Sequence, residues 1–109
     1  MISVIIPVLN EEKNIQACLN DLLSQEGSFE VLISDGGSAD KTKEIVKTFS
    51  EVHLVQSEAG RANQMNTAAA EAKGRVLWFL HVDSKIPDNA ILSLEKVAED
   101  NRYVGGAFR

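Results

Sequence analysis

Ile2-Ser3-Val4-Ile5-Ile6-Pro7-Val8-Leu9 opens the chain as a nearly unbroken, β-branched apolar run. A strand with one wet face alternates apolar and polar residues. A continuous run reads instead as a strand buried on both faces. Polar Asn10-Glu11-Glu12 follows it. Apolar residues then return at Ile15, Cys18, Leu19, Leu22 and Leu23, one stripe of a helix. Asn10 is expected to cap that helix, Glu11 and Glu12 to complement its dipole, and Gly27 to end it. A doubly buried strand feeding an amphipathic helix is the repeating unit of a parallel sheet.

The alternation continues down the chain. Phe29–Ser34 reads as a second strand, broken by Gly36-Gly37-Ser38. A helix is expected from Ala39 to Phe49 on Ile45, Val46 and Phe49. Val52–Gln56 is a third strand, and Ala62–Lys73 an alanine-rich helix closed by Gly74. Arg75–His81 is a fourth strand. Pro87 suits the first turn of a helix with Ile91, Leu94 and Val97 on one face. Tyr103–Phe108 starts a fifth strand. The pattern predicts one α/β unit over residues 1–109: a doubly wound, mostly parallel sheet of four to five strands with helices on both faces. A strand at the end of the sequence leaves an open sheet edge. The reading is therefore a truncated chain, or a homo-oligomer that covers the C-terminal edge.

Composition narrows the function. Of 109 residues, 44% are hydrophobic and 25% charged, a balance typical of folded domains. The net charge of −5 argues against non-specific nucleic-acid binding, which needs a basic surface. No apolar run reaches the ~20 residues of a membrane span, and the N-terminus lacks a basic signal-peptide region. The single cysteine, Cys18, excludes an internal disulfide and points to a reducing, cytoplasmic setting. Residues 1–59 hold ten acids against four lysines, so Arg61 is the first arginine after a long acidic stretch.

In open parallel sheets ligands bind beyond the carboxyl ends of the strands, where strand order reverses. Those ends carry Pro7-Val8-Leu9-Asn10-Glu11-Glu12, Asp35-Gly36-Gly37-Ser38-Ala39-Asp40, Glu58-Ala59-Gly60-Arg61 and His81-Val82-Asp83-Ser84. Carboxylates, an amide, glycines, an arginine and a histidine converge there, as a site for a polar anion and a divalent metal would require. A cation at a helix N-terminus opposes the helix dipole, so an anion beside Arg61 would relieve it. Ser38 and Asp40 are placed to cap the helix that follows them. His81 and Asp83 are expected to share one side of an extended segment. Cys18 lies on the apolar stripe and is expected to be buried and inert, and His53 to be an ordinary surface histidine.

These clusters, in this order, resemble the inverting family 2 glycosyltransferases of the GT-A fold. The resemblance rests on Ile5-Ile6-Pro7-Val8-Leu9-Asn10-Glu11-Glu12 and on Ile33-Ser34-Asp35-Gly36-Gly37-Ser38-Ala39-Asp40. It extends to Gly60-Arg61-Ala62-Asn63-Gln64-Met65-Asn66 and Phe79-Leu80-His81-Val82-Asp83-Ser84. The third and fourth are similar to a bacterial subgroup of uncharacterised or arsenosugar-associated transferases. The resemblance implies a nucleotide-diphosphate-sugar donor and an acceptor of unknown kind. It implies that Pro7, Val8 and Glu11 line a nucleoside pocket. Asp35 would bind base or ribose, Arg61 would contact the nucleotide or its diphosphate, and Asp83 would coordinate Mg²⁺ or Mn²⁺. Asn10, Gly36, Ser38 and His81 complete the candidate donor site.

Two features depart from the family pattern. His81 stands where the family has the first aspartate of Asp-x-Asp; it is either a nitrogen ligand, better suited to Mn²⁺, or a hydrogen-bonding group for ribose or phosphate. Inversion also needs a base to deprotonate the acceptor. Asp88, Glu95, Glu99 and Asp100 read as solvated helix charges, so that base is expected beyond Arg109. The alternative reading is a catalytically incompetent fragment of the same fold that dimerises through its open edge. A dinucleotide-binding oxidoreductase is disfavoured, because Gly-x-Gly-x-x-Gly is missing from the first strand–helix turn.

Overall fold

The computed structural model describes residues 1–99. Strands β1 (Ile2–Val8), β2 (Phe29–Asp35), β3 (Val52–Gln56) and β4 (Val76–Phe79) alternate with helices α1 (Ile15–Leu23), α2 (Thr42–Lys47), α3 (Arg61–Glu71) and α4 (Ala90–Glu99). Every pairing is parallel and the order is β3-β2-β1-β4. The chain steps outward from β1 to β3, then crosses back to lay β4 against the free side of β1. Strand order therefore reverses between β1 and β4, where a crevice is expected. The fifth strand expected at Tyr103–Phe108 lies outside the described residues.

Side chains alternate across each strand, and both faces are covered. Ile2, Val4, Ile6 and Val8 of β1 pack with Ile15, Leu19 and Leu22 of α1, Val46 of α2, and Ile91 and Leu94 of α4. Ile5, Leu32 and Val55 form a second, smaller cluster with Ala68 of α3. That double burial is why β1 reads as an apolar run. Trp78, fully buried in β4, belongs to the larger cluster.

Gly74 makes the β1–β4 pairing possible. A Cβ there would lie 2.6 Å from Ser3 Oγ, 2.7 Å from Ser3 N and 2.8 Å from the Met1 carbonyl oxygen. In its absence the Gly74 N–H donates to Ser3 Oγ at 2.7 Å, and Ser3 Oγ donates to Glu30 at 2.5 Å. Gly74 thus serves a close approach of backbone three residues past α3.

Three helix starts differ from the sequence expectation. α4 begins at Ala90, with Pro87 ahead of it rather than in its first turn. The regular part of α1 begins at Ile15 after Asn14, with no acid in its first turn. Asn10 does not cap it: its φ of 54° is left-handed, and its side chain bonds the β2–α2 loop instead. α2 begins at Thr42 rather than Ala39. The residues before it are drawn into loop hydrogen bonds, which compete with helix.

Candidate functional site

The carboxyl ends of the strands are organised by four sets of hydrogen bonds. The first lies at the exit of β2. Asp35 is fully buried. Its Oδ2 accepts the N–H groups of Gly37 at 2.9 Å and Ser38 at 3.0 Å, and its Oδ1 accepts the Ser38 hydroxyl at 2.5 Å. Burial alone would raise its pKa. The bonds from the Ser38 hydroxyl and N–H, the Gly37 N–H and Gln56 outweigh it and hold the carboxyl below the ordinary aspartate value. Asp35 spends its lone pairs shaping its own loop.

The second set ties that loop to the exit of β1. The Asn10 N–H donates to Ser38 Oγ at 2.9 Å, and Asn10 Oδ1 accepts the Ala39 N–H at 2.8 Å. The Glu11 N–H donates to Thr42 Oγ1 at 2.8 Å, and the Glu12 N–H to Asp40 Oδ2 at 3.2 Å. Asp40 Oδ1 also accepts the Thr42 N–H at 2.9 Å. Four cross-links join two loops about thirty residues apart in sequence. Ser38, expected to cap a helix, acts here as a rung between loops, while Asp40 does both, bridging the loops and accepting the N–H of the first residue of α2.

The third set was not assigned from sequence. Gln64, on the sheet-facing side of α3, is buried. Its amide donates to the Val8 and Ser34 carbonyl oxygens, each at 2.8 Å, and Oε1 accepts the Gly60 N–H at 3.3 Å. One side chain therefore joins the last turns of β1 and β2 to the start of α3. Gly36 leaves room for it: a Cβ there would lie 2.9 Å from Gln64 Cδ and Oε1.

The fourth set brings two basic groups together. Arg61, the first residue of α3, reaches His81 just past β4, with nitrogen–nitrogen contacts of 3.1 and 3.0 Å. A neutral imidazole has one acceptor nitrogen and a guanidinium only donates. One contact is therefore a hydrogen bond and the other a close approach. Both side chains are exposed. They sit at the positive end of the α3 dipole, where an anion is favoured.

Pro7 explains why the sheet opens here. The β1–β4 ladder's last bond runs from the Leu80 N–H to the Ile5 carbonyl at 2.9 Å. Pro7, two residues on and facing the same way, has no N–H to continue it. The strands part at the reversal of order. Pro7 is half-buried, while Val8 turns its side chain into the core, so only the Val8 backbone faces the loops.

His81 and Asp83 do not share an extended face. Residues 82–84 form a turn closed by the Ser84 N–H on the His81 carbonyl at 3.1 Å. The strand stops at Phe79, and Val82 is buried in the larger cluster. His81 faces Arg61 on the α3 side. Asp83 is exposed. Burial first, then the charges of Asp21 and Asp83, push the Cys18 thiol up to about 11. Cys18 is buried, and His53 is exposed and pairs with Glu71 at 3.2 Å.

Among the described residues, no three His, Cys, Asp or Glu side chains form a ready cation cage. A divalent ion held by one exposed carboxylate must complete its shell from phosphate oxygens and water, a mode that suits Mg²⁺. Asp83, a single exposed carboxylate, fits that mode.

A family model described as Glycosyl transferase family 2 matches residues 3–109. The chain belongs to glycosyl transferase family 2. The family match joins all four strand-end clusters in one sequence frame. Glycosyltransferase AglE of Haloferax volcanii is 42% identical over 91 residues, which cover 75% of this chain and 30% of AglE. The structure of S. aureus TarS in complex with UDP is similar over 92% of this chain and 32% of that one, at 30% identity and a TM-score of 0.73. The mannosyltransferase PcManGT from Pyrobaculum calidifontis, in complex with GDP-Man and Mn²⁺, is similar over 84% of this chain and 30% of that one, at 27% identity and a TM-score of 0.73. The chain thus spans about a third of the length of these relatives.

Proposed function

We propose that this chain is the donor-binding half of an inverting, metal-assisted glycosyltransferase that draws its sugar from a nucleotide diphosphate sugar. The observation that carries the reading is the Arg61–His81 pair, two basic groups at a helix N-terminus beside the strand ends that part at Pro7. The UDP and GDP-Man complexes of TarS and PcManGT support it by likeness.

Each residue has a defined part in this reading. Breaking the bond between sugar and phosphate leaves growing charge on the diphosphate, and Arg61 stabilises that charge. His81 buttresses the guanidinium and reaches toward ribose or phosphate. Asp83 would hold Mg²⁺ or Mn²⁺, and the ion would supply Lewis-acid stabilisation of the developing charge. Pro7 and Glu11 flank the nucleoside. Gly36, Ser38 and Asn10 shape the loops beneath it, and Asp35 keeps that shape. None of the donor-site residues is assigned as the base that activates the acceptor. A buried free thiol at Cys18 fits a reducing, cytoplasmic compartment.

The test is a thermal-shift screen of UDP, GDP and their sugars, with and without Mn²⁺. A ligand at 100 times its Kd adds about 2.7 kcal/mol, which raises the Tm of a domain this size by roughly 10 °C or more. A flat screen overturns the reading. A flat screen together with concentration-dependent dimerisation favours the incompetent, edge-pairing fragment instead.

A further inference from the structure

We propose that Gln64 is a positioning residue, which sets the place of Arg61 through the start of α3; this deepens the donor-site reading and rests on it. Four observations carry the inference. The Gln64 amide is buried and uses both of its N–H donors on the carbonyl oxygens that end β1 and β2, each at 2.8 Å. Its oxygen accepts the N–H of Gly60, the residue immediately before Arg61. The start of α3 has no side-chain cap of its own. Gly36 is hollowed out to admit this one side chain.

The chemistry is selective for a primary amide. Two strand carbonyls ask for two donors, and a backbone N–H asks for an acceptor. Glutamate would set a carboxylate oxygen against two carbonyl oxygens. Methionine has the length and none of the hydrogen bonds. Arg61 lies three residues before Gln64, one helical turn, so the amide fixes the height and rotation of the turn that carries the guanidinium. Losing those bonds frees the first turn of α3 to shift over the strand ends, and Arg61 loses its alignment with His81.

The experiment is a double-mutant cycle in the 109-residue chain, read by UDP and GDP titrations with Mn²⁺. Gln64→Met is expected to weaken binding roughly tenfold, and Gln64→Met with Arg61→Ala to bind no more weakly than Arg61→Ala alone. Losses that multiply overturn the proposal, because Gln64 then acts without Arg61. Gly36→Ala, which crowds the amide from the other side, is expected to give the same non-additivity and serves if Gln64→Met does not fold. If the unsubstituted chain binds neither nucleotide, the donor reading fails and the positioning proposal is decided by NMR. The Arg61 Nε–H and His81 ring signals must shift in Gln64→Met. Unchanged signals overturn it.

Discussion

The side chain of Gln64 occupies the space that a Cβ on Gly36 would fill. The two residues come from α3 and from the loop after β2, and their contact is what lets one amide span the ends of two strands. Replacing Gly36 by alanine is expected to cost about 1–3 kcal/mol, the range for overpacking a filled interior. The neighbour that must give way is hydrogen-bonded on every side, which places the effect at the upper end. Urea midpoints of the two proteins measure it, and an unchanged midpoint contradicts the packing described for Gln64.

Asp35 and Glu30 both sit below their ordinary pKa values. Burial opposes ionisation in each, and hydrogen bonds from Ser38, Gly37 and Gln56, or from Ser3, Lys73 and Gly74, overcome it. Their contribution to stability is complete above the unfolded carboxylate range and is lost as pH falls through the lowered folded values. Urea midpoints are expected to drop between about pH 5 and pH 2. Asp35→Asn should be less stable at pH 7 and show a shallower drop. A drop as steep as in the unsubstituted chain would count against the Asp35 loop bonds.

Gly74→Ala tests the opposite end of the sheet. Its Cβ would meet backbone atoms of Ser3 and Met1, which cannot rotate away. A loss of about 1–3 kcal/mol is expected, with faster amide exchange at the start of β1 and β4. Hydrogen exchange that changes only in α3 would show that the strain is absorbed elsewhere.

Asp83→Ala addresses the metal directly. In the unsubstituted chain, Mn²⁺ is expected to strengthen UDP or GDP binding. In the variant the affinity should be the same with and without Mn²⁺, while the melting temperature without ligand stays within a few degrees, since the side chain is exposed. Metal dependence that survives the substitution would move the ion away from Asp83.

Cys18 provides an internal clock for unfolding. With a pKa near 11, roughly one thiol in a thousand is ionised at pH 8. Labelling by a thiol-specific disulfide reagent should therefore be slow in the native chain and complete at once in denaturant. Fast native labelling would mean that α1 opens readily from the sheet.

How much of this could be read from sequence differs by element, for physical reasons. β1 and β2, inside the sheet, and β4, packed into the larger cluster through Val76 and Trp78, were legible as apolar runs. β3, an edge strand with His53 and Gln56 exposed, was legible from Val52, Leu54 and Val55 and ends where expected at Gln56. The helix starts were not. Asn10 looks like a cap, but its partners are Ser38 and Ala39, which no local pattern brings near it. α2 is shorter than Ile45, Val46 and Phe49 suggest, because Asp40 and Thr42 are engaged by the neighbouring loop. Nothing local marks Gln64 as a structural residue. Its strand partners are 56 and 30 residues away, and a polar residue on an alanine-rich helix reads as solvent-facing. The turn at 82–84 was missed because the apolar run into Leu80 hides the end of pairing that Pro7 imposes from another strand.

The rungs between the Asn10–Glu12 and Ser38–Thr42 segments have a consequence for affinity. Two ordinarily independent surface loops are welded into one rigid shelf before any guest arrives. The entropy of arranging them is settled when the chain folds and is not subtracted again on binding. A guest on this shelf should therefore be discriminated by fit and charge from the first encounter, with little reshaping of its host.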